Sequence, residues 1–140
     1  MEKGLAEILK KSSRLMARNG YGGTSMRDLA KETGWSLAGL YHYFKDKKEL
    51  LYLINHDGFS SLLEFAQKTA ARDERPREKL LAFIMNHVRY FTDHQDEMRV
   101  MLFGTQQFDS ARGRVIKDLK EKYGEAGQRI VAEFAQEHTG

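Results

Sequence analysis

Tyr41-His42-Tyr43-Phe44-Lys45-Asp46-Lys47-Lys48-Glu49 sets three aromatic rings, one imidazole and three ammonium groups side by side. Phenols and lysines in such a run donate hydrogen bonds to anions. What precedes them gives the run a direction. Ala30, Gly34 and Leu40 stand in the spacing Ala-x3-Gly-x5-Leu. A small Ala30 lets two helices cross closely, and Gly34 takes the left-handed turn that a side chain resists. Leu29, Trp35 and Leu40 then close a miniature core, which is the skeleton of a helix-turn-helix. With Leu40 and Phe44 turned inward, the second helix of the pair presents Leu37, Ala38, Gly39, Tyr41 and His42 outward. Such a helix is sized for a DNA major groove. Tyr41, Tyr43 and Lys47 are suited to hold phosphates, and Ser36 stands at a helix N-terminus, where backbone N–H groups attract them too. The rival reading is a helical hairpin whose tyrosines and lysines merely cover a core. The skeleton alone leaves the two readings balanced, since short motifs recur by chance. The aromatic and basic tail moves the balance toward DNA.

Other chemistry is poorly served. The chain has no cysteine, hence no disulfide framework and no thiolate. Its five histidines lack a His-x3-His or Glu-x-x-His pattern, which argues against a metal site. Gly58 to Leu62, "GFSSL", lacks the closing glycine of a nucleophile elbow. Asp93, Asp96 and Glu97 read as a solvated loop. The residues thus form no catalytic constellation, and an enzyme, a metal or a cofactor is not expected. Net charge is +3, but residues 1–52 carry +4 and the remainder −1. A basic first third is compatible with an anionic partner there, or with an ordinary charged face. No apolar run approaches the length of a membrane span, and the amphipathic start "MEKGLAEILKK" is unlike a signal peptide. A cytoplasmic protein without membrane contact is the expectation.

The elements that must position the cluster follow from periodicity. One proline in 140 residues, long 3.6-period stretches and no alternating β-branched runs predict an all-α chain. Helix one runs from Leu5 to Asn19, with Asn19-Gly20 as its stop. Thr24 or Ser25 caps helix two, and Ser36 caps helix three. Asp46-x-x-Glu49 is a capping box for a fourth helix reaching about Thr69, with Leu50, Ile54, Gly58, Leu62, Phe65 and Ala66 on one side. Pro76 opens a fifth helix to about Thr92, whose inner face is read as Leu80, Ile84, His87, Val88 and Phe91. "DHQDE" reads as a break. A short piece follows from Met98 to Phe103, then a long helix from Ser110 to Glu137. Gly124 and Gly127 inside it mark either close packing or a kink.

The string "TSMRDLAKETGWSLAGLYHYFKDKKELL", Thr24 to Leu51, resembles the DNA-binding segment of the TetR (tetracycline-repressor-like) transcriptional regulators. The likeness spans about Leu5 to Leu53 and is architectural beyond that. It implies a three-helix helix-turn-helix region, residues 1–46, followed by a helical ligand-binding and dimerising region, residues 47–140. It further implies a homodimeric repressor that leaves a palindromic operator when a small molecule binds. Carried over by position, Thr24, Ser25, Ser36, Tyr41, His42, Tyr43 and Lys47 match phosphate contacts. Arg27 matches a base-reading position, and Leu37, Ala38 and Gly39 match the base-reading start of the recognition helix. Two residues depart from the pattern. Gly39 stands where threonine or serine is common, and Leu37 is apolar where a polar or basic residue is common. Readout then rests on Arg27, on apolar contact to thymine methyls and on DNA shape.

Family members usually carry a further pair of helices that builds the dimer. This chain stops at "EFAQEHTG", about where that pair would begin. The expectation is a C-terminally truncated product with weakened dimerisation, unless the final helix serves the dimer. For an effector, Phe59, Leu63, Phe83, His87, Tyr90, Phe91, Met98, Met101, Phe103 and Phe108 are candidates to line a pocket among helices four to seven. Their Met and Phe content is compatible with an apolar or acyl-type molecule, although aromatic stripes at helical spacing are usually plain core. The competing functional class is a helical interaction or dimerisation module without DNA binding, which salt-sensitive DNA affinity would discriminate.

Overall fold

The computed structural model describes residues 3–102 and 108–139. All regular structure among them is α-helix: α1 (Lys3–Asn19), α2 (Met26–Thr33), α3 (Leu37–Tyr43), α4 (Lys47–Ala70), α5 (Pro76–Asp93), α6 (Gln95–Leu102) and α7 (Ser110–Thr139). No helix among the described residues is long and apolar enough to cross a membrane.

The first three helices form a small head. Ile8, Leu9, Leu15 and Met16 of α1 meet Leu29 of α2, Leu40 of α3 and Phe44 in one buried cluster. The cluster continues through Leu50, Leu51 and Ile54 of α4 to Met98, Val100 and Met101 of α6. Helix α6 therefore packs on both α1 and α4, and ties the head to the body. In the body, α4 packs most extensively on α7, and α5 covers both. Lys79 holds these three together. Its buried ammonium donates to the Ala70 carbonyl oxygen at 3.2 Å, at the C-terminus of α4, and to the Glu133 carboxylate of α7 at 3.3 Å. A cation suits the negative end of α4.

Three sequence expectations need correction. The break at "DHQDE" is narrower than expected: α5 runs through Asp93 and α6 starts at Gln95, so only His94, at φ −128° and ψ 43°, leaves the helical conformation. No glycine or proline occurs there, and the His94 N–H still reaches the Tyr90 carbonyl oxygen at 3.0 Å. The supposed inner face of α5 is also split. Leu80 and His87 are partly buried, whereas Ile84 is 47% exposed, Val88 53% and Phe91 38%. The apolar stripe of α5 is wider than the surface that α4 and α7 offer it. Finally, the Asp46/Glu49 capping box is only half made. Asp46 Oδ1 accepts the Glu49 N–H at 2.8 Å, but Glu49 Oε2 accepts the N–H of Lys45, not of Asp46. The ambiguity over Gly127 is resolved as close packing: a Cβ there would lie 2.8 Å from Cζ of Phe83. At Gly124 nothing lies within 4 Å of that position.

Candidate nucleic-acid interface

The turn between α2 and α3 is built as the Ala-x3-Gly-x5-Leu spacing requires. Gly34 has φ +77°, in the left-handed region, and its N–H closes α2 on the Ala30 carbonyl oxygen at 3.0 Å. A β-branched residue would be strained there. The cap of α2 is Ser25, not Thr24. Ser25 Oγ accepts the Asp28 N–H at 3.1 Å and Asp28 Oδ2 accepts the Ser25 N–H at 2.9 Å. The Ser25 N–H, and after it the Ser25 hydroxyl, stabilise the Asp28 carboxylate and hold its pKa below the ordinary value. Ser36 caps α3, its Oγ accepting the Gly39 N–H at 2.9 Å. Leu40 and Phe44 are buried, which turns the opposite side of α3 outward.

The residues assigned from sequence divide into three groups. Arg27, Ala38, Tyr41 and His42 are exposed, as are the cap residues Ser25 and Ser36. Leu37, Gly39 and Tyr43 are half-buried. Thr24 and Lys47 carry internal duties. Thr24 is 2% exposed, and its hydroxyl donates to the Gly20 carbonyl oxygen at 2.7 Å. The Lys47 ammonium donates to the Tyr21 carbonyl oxygen at 2.6 Å and lies 4.4 Å from the centre of the Tyr21 ring. It braces the α1–α2 loop against α4 and retains two further N–H donors. Lys45 and Lys48, outside the assigned set, are exposed, and neither ammonium is paired with an acid among the described residues. Their signal was the cationic run itself.

The ten residues proposed for a pocket do not gather in one place. Phe59, Tyr90, Met98, Met101 and Phe108 pack in or against the cluster shared by α1, α4 and α6. Phe83, His87 and Phe91 form an aromatic column on α5 that meets Tyr123 of α7, with His87 Nδ1 hydrogen-bonded to Tyr123 Oη at 2.7 Å. Burial holds the Tyr123 phenol above its ordinary pKa, so it stays protonated. Leu63 is buried on α4, and Phe103 lies outside the described residues. A cavity of about 220 Å³ opens between α1, α4 and the α5–α6 junction. It is lined by Ala6, Leu9, Lys10, Ile54, Asp57, Tyr90, His94 and Glu97, so Tyr90 is the one assigned residue that reaches it.

A tight α2-turn-α3 unit on a helical body defines the class as a helix-turn-helix protein. Two sequence families match it in tandem: "Bacterial regulatory proteins, tetR family" over residues 8–54, and "Tetracyclin repressor-like, C-terminal domain" over residues 73–139. The chain belongs to the TetR family. It is 32% identical over 99 residues to the HTH-type transcriptional regulator PksA of Bacillus subtilis, covering 71% of this chain and 48% of PksA. The chain thus spans about half the length of that relative. Among solved structures, the TetR family transcriptional regulator PfmR from Thermus thermophilus superposes with a TM-score of 0.85 at 28% identity, over 95% of this chain and 72% of PfmR. AibR in complex with isovaleryl coenzyme A and operator DNA superposes with a TM-score of 0.79 at 25% identity, over 97% of this chain and 74% of AibR.

Proposed function

We propose that this chain reads DNA through α2 and α3 as part of a cytoplasmic transcriptional regulator, a repressor released by a small molecule, rather than catalysing a reaction. The observation that carries the reading is the exposed side of α3. Tyr41 and His42 of α3 are exposed, as are the cations Arg27 of α2 and Lys45 and Lys48 that follow α3, on a unit braced by two side-chain caps and a left-handed glycine. Tyr41, His42, Tyr43, Ser25 and Ser36 are assigned to the phosphates that flank the groove. Thr24 and Lys47 hold the loops that carry them. Arg27, Leu37, Ala38 and Gly39 face the base edges. Two copies acting as a homodimer on a palindromic operator would double the small contact that one short helix makes. AibR, crystallised with an acyl-coenzyme A and operator DNA, supports an acyl-type effector held in the helical body.

Binding to duplex DNA is expected to weaken with salt, log K falling against log salt at a slope of roughly −0.9 per phosphate contact. Arg27→Ala should cost about 1–3 kcal/mol on a selected operator and little on random DNA, while Tyr41→Phe weakens both alike. Fluorescence anisotropy across a salt series reads both effects. A flat salt dependence would favour the interaction module instead.

A further inference from the structure

Trp35 stands between the turn and the recognition helix, and its ring is held on three sides. Tyr43 meets it edge-on, with ring centres 5.3 Å apart at 88°. The first turn of α1 lies against it so closely that a Cβ at Gly4 would come within 3.3 Å of Trp35 Cζ2. On the side of α3, a Cβ at Gly39 would lie 3.3 Å from Trp35 Cε3 and 3.0 Å from Ser36 Oγ. That hydroxyl is already engaged with the Gly39 N–H. A side chain at position 39 would therefore meet a capping oxygen on one side and an immobilised indole on the other. Each must give by a few tenths of an ångström; the Ser36 hydroxyl ends a short side chain and can shift, whereas the indole is held by Tyr43 and the first turn of α1, so it is the neighbour that resists overfilling.

We infer that Trp35 is a specificity-determining residue: by occupying the space beside position 39 it keeps that position glycine and leaves the tip of the recognition helix without a side chain. This rests on the DNA-reading function proposed above. A bare helix tip offers backbone and the Ala38 methyl to the base pair it faces, and so supplies no side-chain donor or acceptor there. That base pair is then chosen by apolar contact and by closeness of approach, while hydrogen-bonded readout falls to Arg27. Replacing the indole by a smaller side chain opens room for a hydroxyl at position 39, which can hydrogen-bond a base edge.

The test is a double-mutant cycle on the full chain, with Trp35→Val, Gly39→Ser and both together. Thermal unfolding followed by circular dichroism should show Gly39→Ser lowering Tm by several degrees when Trp35 is present, and by much less when it is combined with Trp35→Val. Binding-site selection from a randomised duplex pool should then show the double variant preferring a different base at one position per half-site. The expected discrimination is roughly three- to tenfold, the range of one hydrogen bond. Additive changes in Tm would overturn the inference, because the two positions would then be uncoupled. So would the same altered base preference from Gly39→Ser alone. If no form of the chain binds DNA, the functional reading fails, whereas the unfolding cycle still decides whether Trp35 governs position 39.

Discussion

Asp57 shows what a single side chain costs where the head meets the body. It stands half-buried on α4, lines the cavity beside Tyr90, His94 and Glu97, and makes no hydrogen bond or ion pair among the described residues. Burial raises its pKa, with His94 and His56 opposing the shift. Folding therefore disfavours the ionised form relative to the unfolded chain, whose carboxyl titrates near about 3.9. At neutral pH the charge of Asp57 costs stability. That cost shrinks as pH falls through the raised folded pKa and is absent below the unfolded value. Asp57→Asn should then raise Tm at neutral pH, and its advantage over the wild type should vanish at about pH 4 or just below. Paired thermal melts from neutral pH downward measure the difference. An advantage independent of pH would mean that the gain comes from packing and not from charge.

Helix α7 carries two glycines with opposite roles, and the contrast tests how α5 seats against it. An alanine at either position gains about 1 kcal/mol of helix propensity. At Gly124 the added methyl meets nothing within 4 Å, so Gly124→Ala should stabilise the chain by up to about 1 kcal/mol. At Gly127 the methyl meets the Phe83 ring, which is hemmed in by His87 and Tyr123. Overpacking costs about 1–3 kcal/mol, so Gly127→Ala should be neutral to clearly destabilising. Combining it with Phe83→Leu should relieve the clash. Urea denaturation of the single and double variants gives the sign directly. Two alanines that stabilise equally would show that α5 does not lie against α7 at this point.

At the scale of the whole molecule, α5 leaves an apolar stripe uncovered. Leu81, Ile84, Met85 and Val88 run along α5, each between 47% and 53% exposed. Exposed apolar stripes of this kind mark contact surfaces or drive association. The chain is expected to self-associate as its concentration rises. Val88→Glu should weaken that association by about tenfold or more, since burying one such side chain is worth about 1.5–3 kcal/mol. Sedimentation equilibrium over a concentration series reads the constant for each form. A monomer at all concentrations would show that the stripe is tolerated as ordinary surface.

What could be read from the sequence was local. Ser36 and Asp46 were legible as caps, the cap of α2 as Thr24 or Ser25, and Gly34 as a left-handed turn, because each acts on backbone groups within four residues. The inward positions of Leu29, Leu40 and Phe44, and the order of the helices, followed from the 3.6-residue period. The outward side of α3, and with it most of the candidate interface, followed in turn. What the tertiary structure decided was which partner each side chain met. Thr24 has a type suited to phosphate, yet its hydroxyl is satisfied by Gly20 and buried. The Lys47 ammonium is engaged by Tyr21, 26 residues away in sequence. The stripe on α5 was visible as apolar, but only the seat on α4 and α7 settled which part of it is covered. Trp35 read as a residue of the miniature core, and its neighbours Gly4 and Gly39 carried no periodic signal. Caps and turns are short-range hydrogen bonds, whereas the Lys47–Tyr21, α5 and Trp35–Gly4 contacts join residues whose distance is set only when the helices pack; the Thr24 hydroxyl has its partner four residues back, but its burial is set by that packing too.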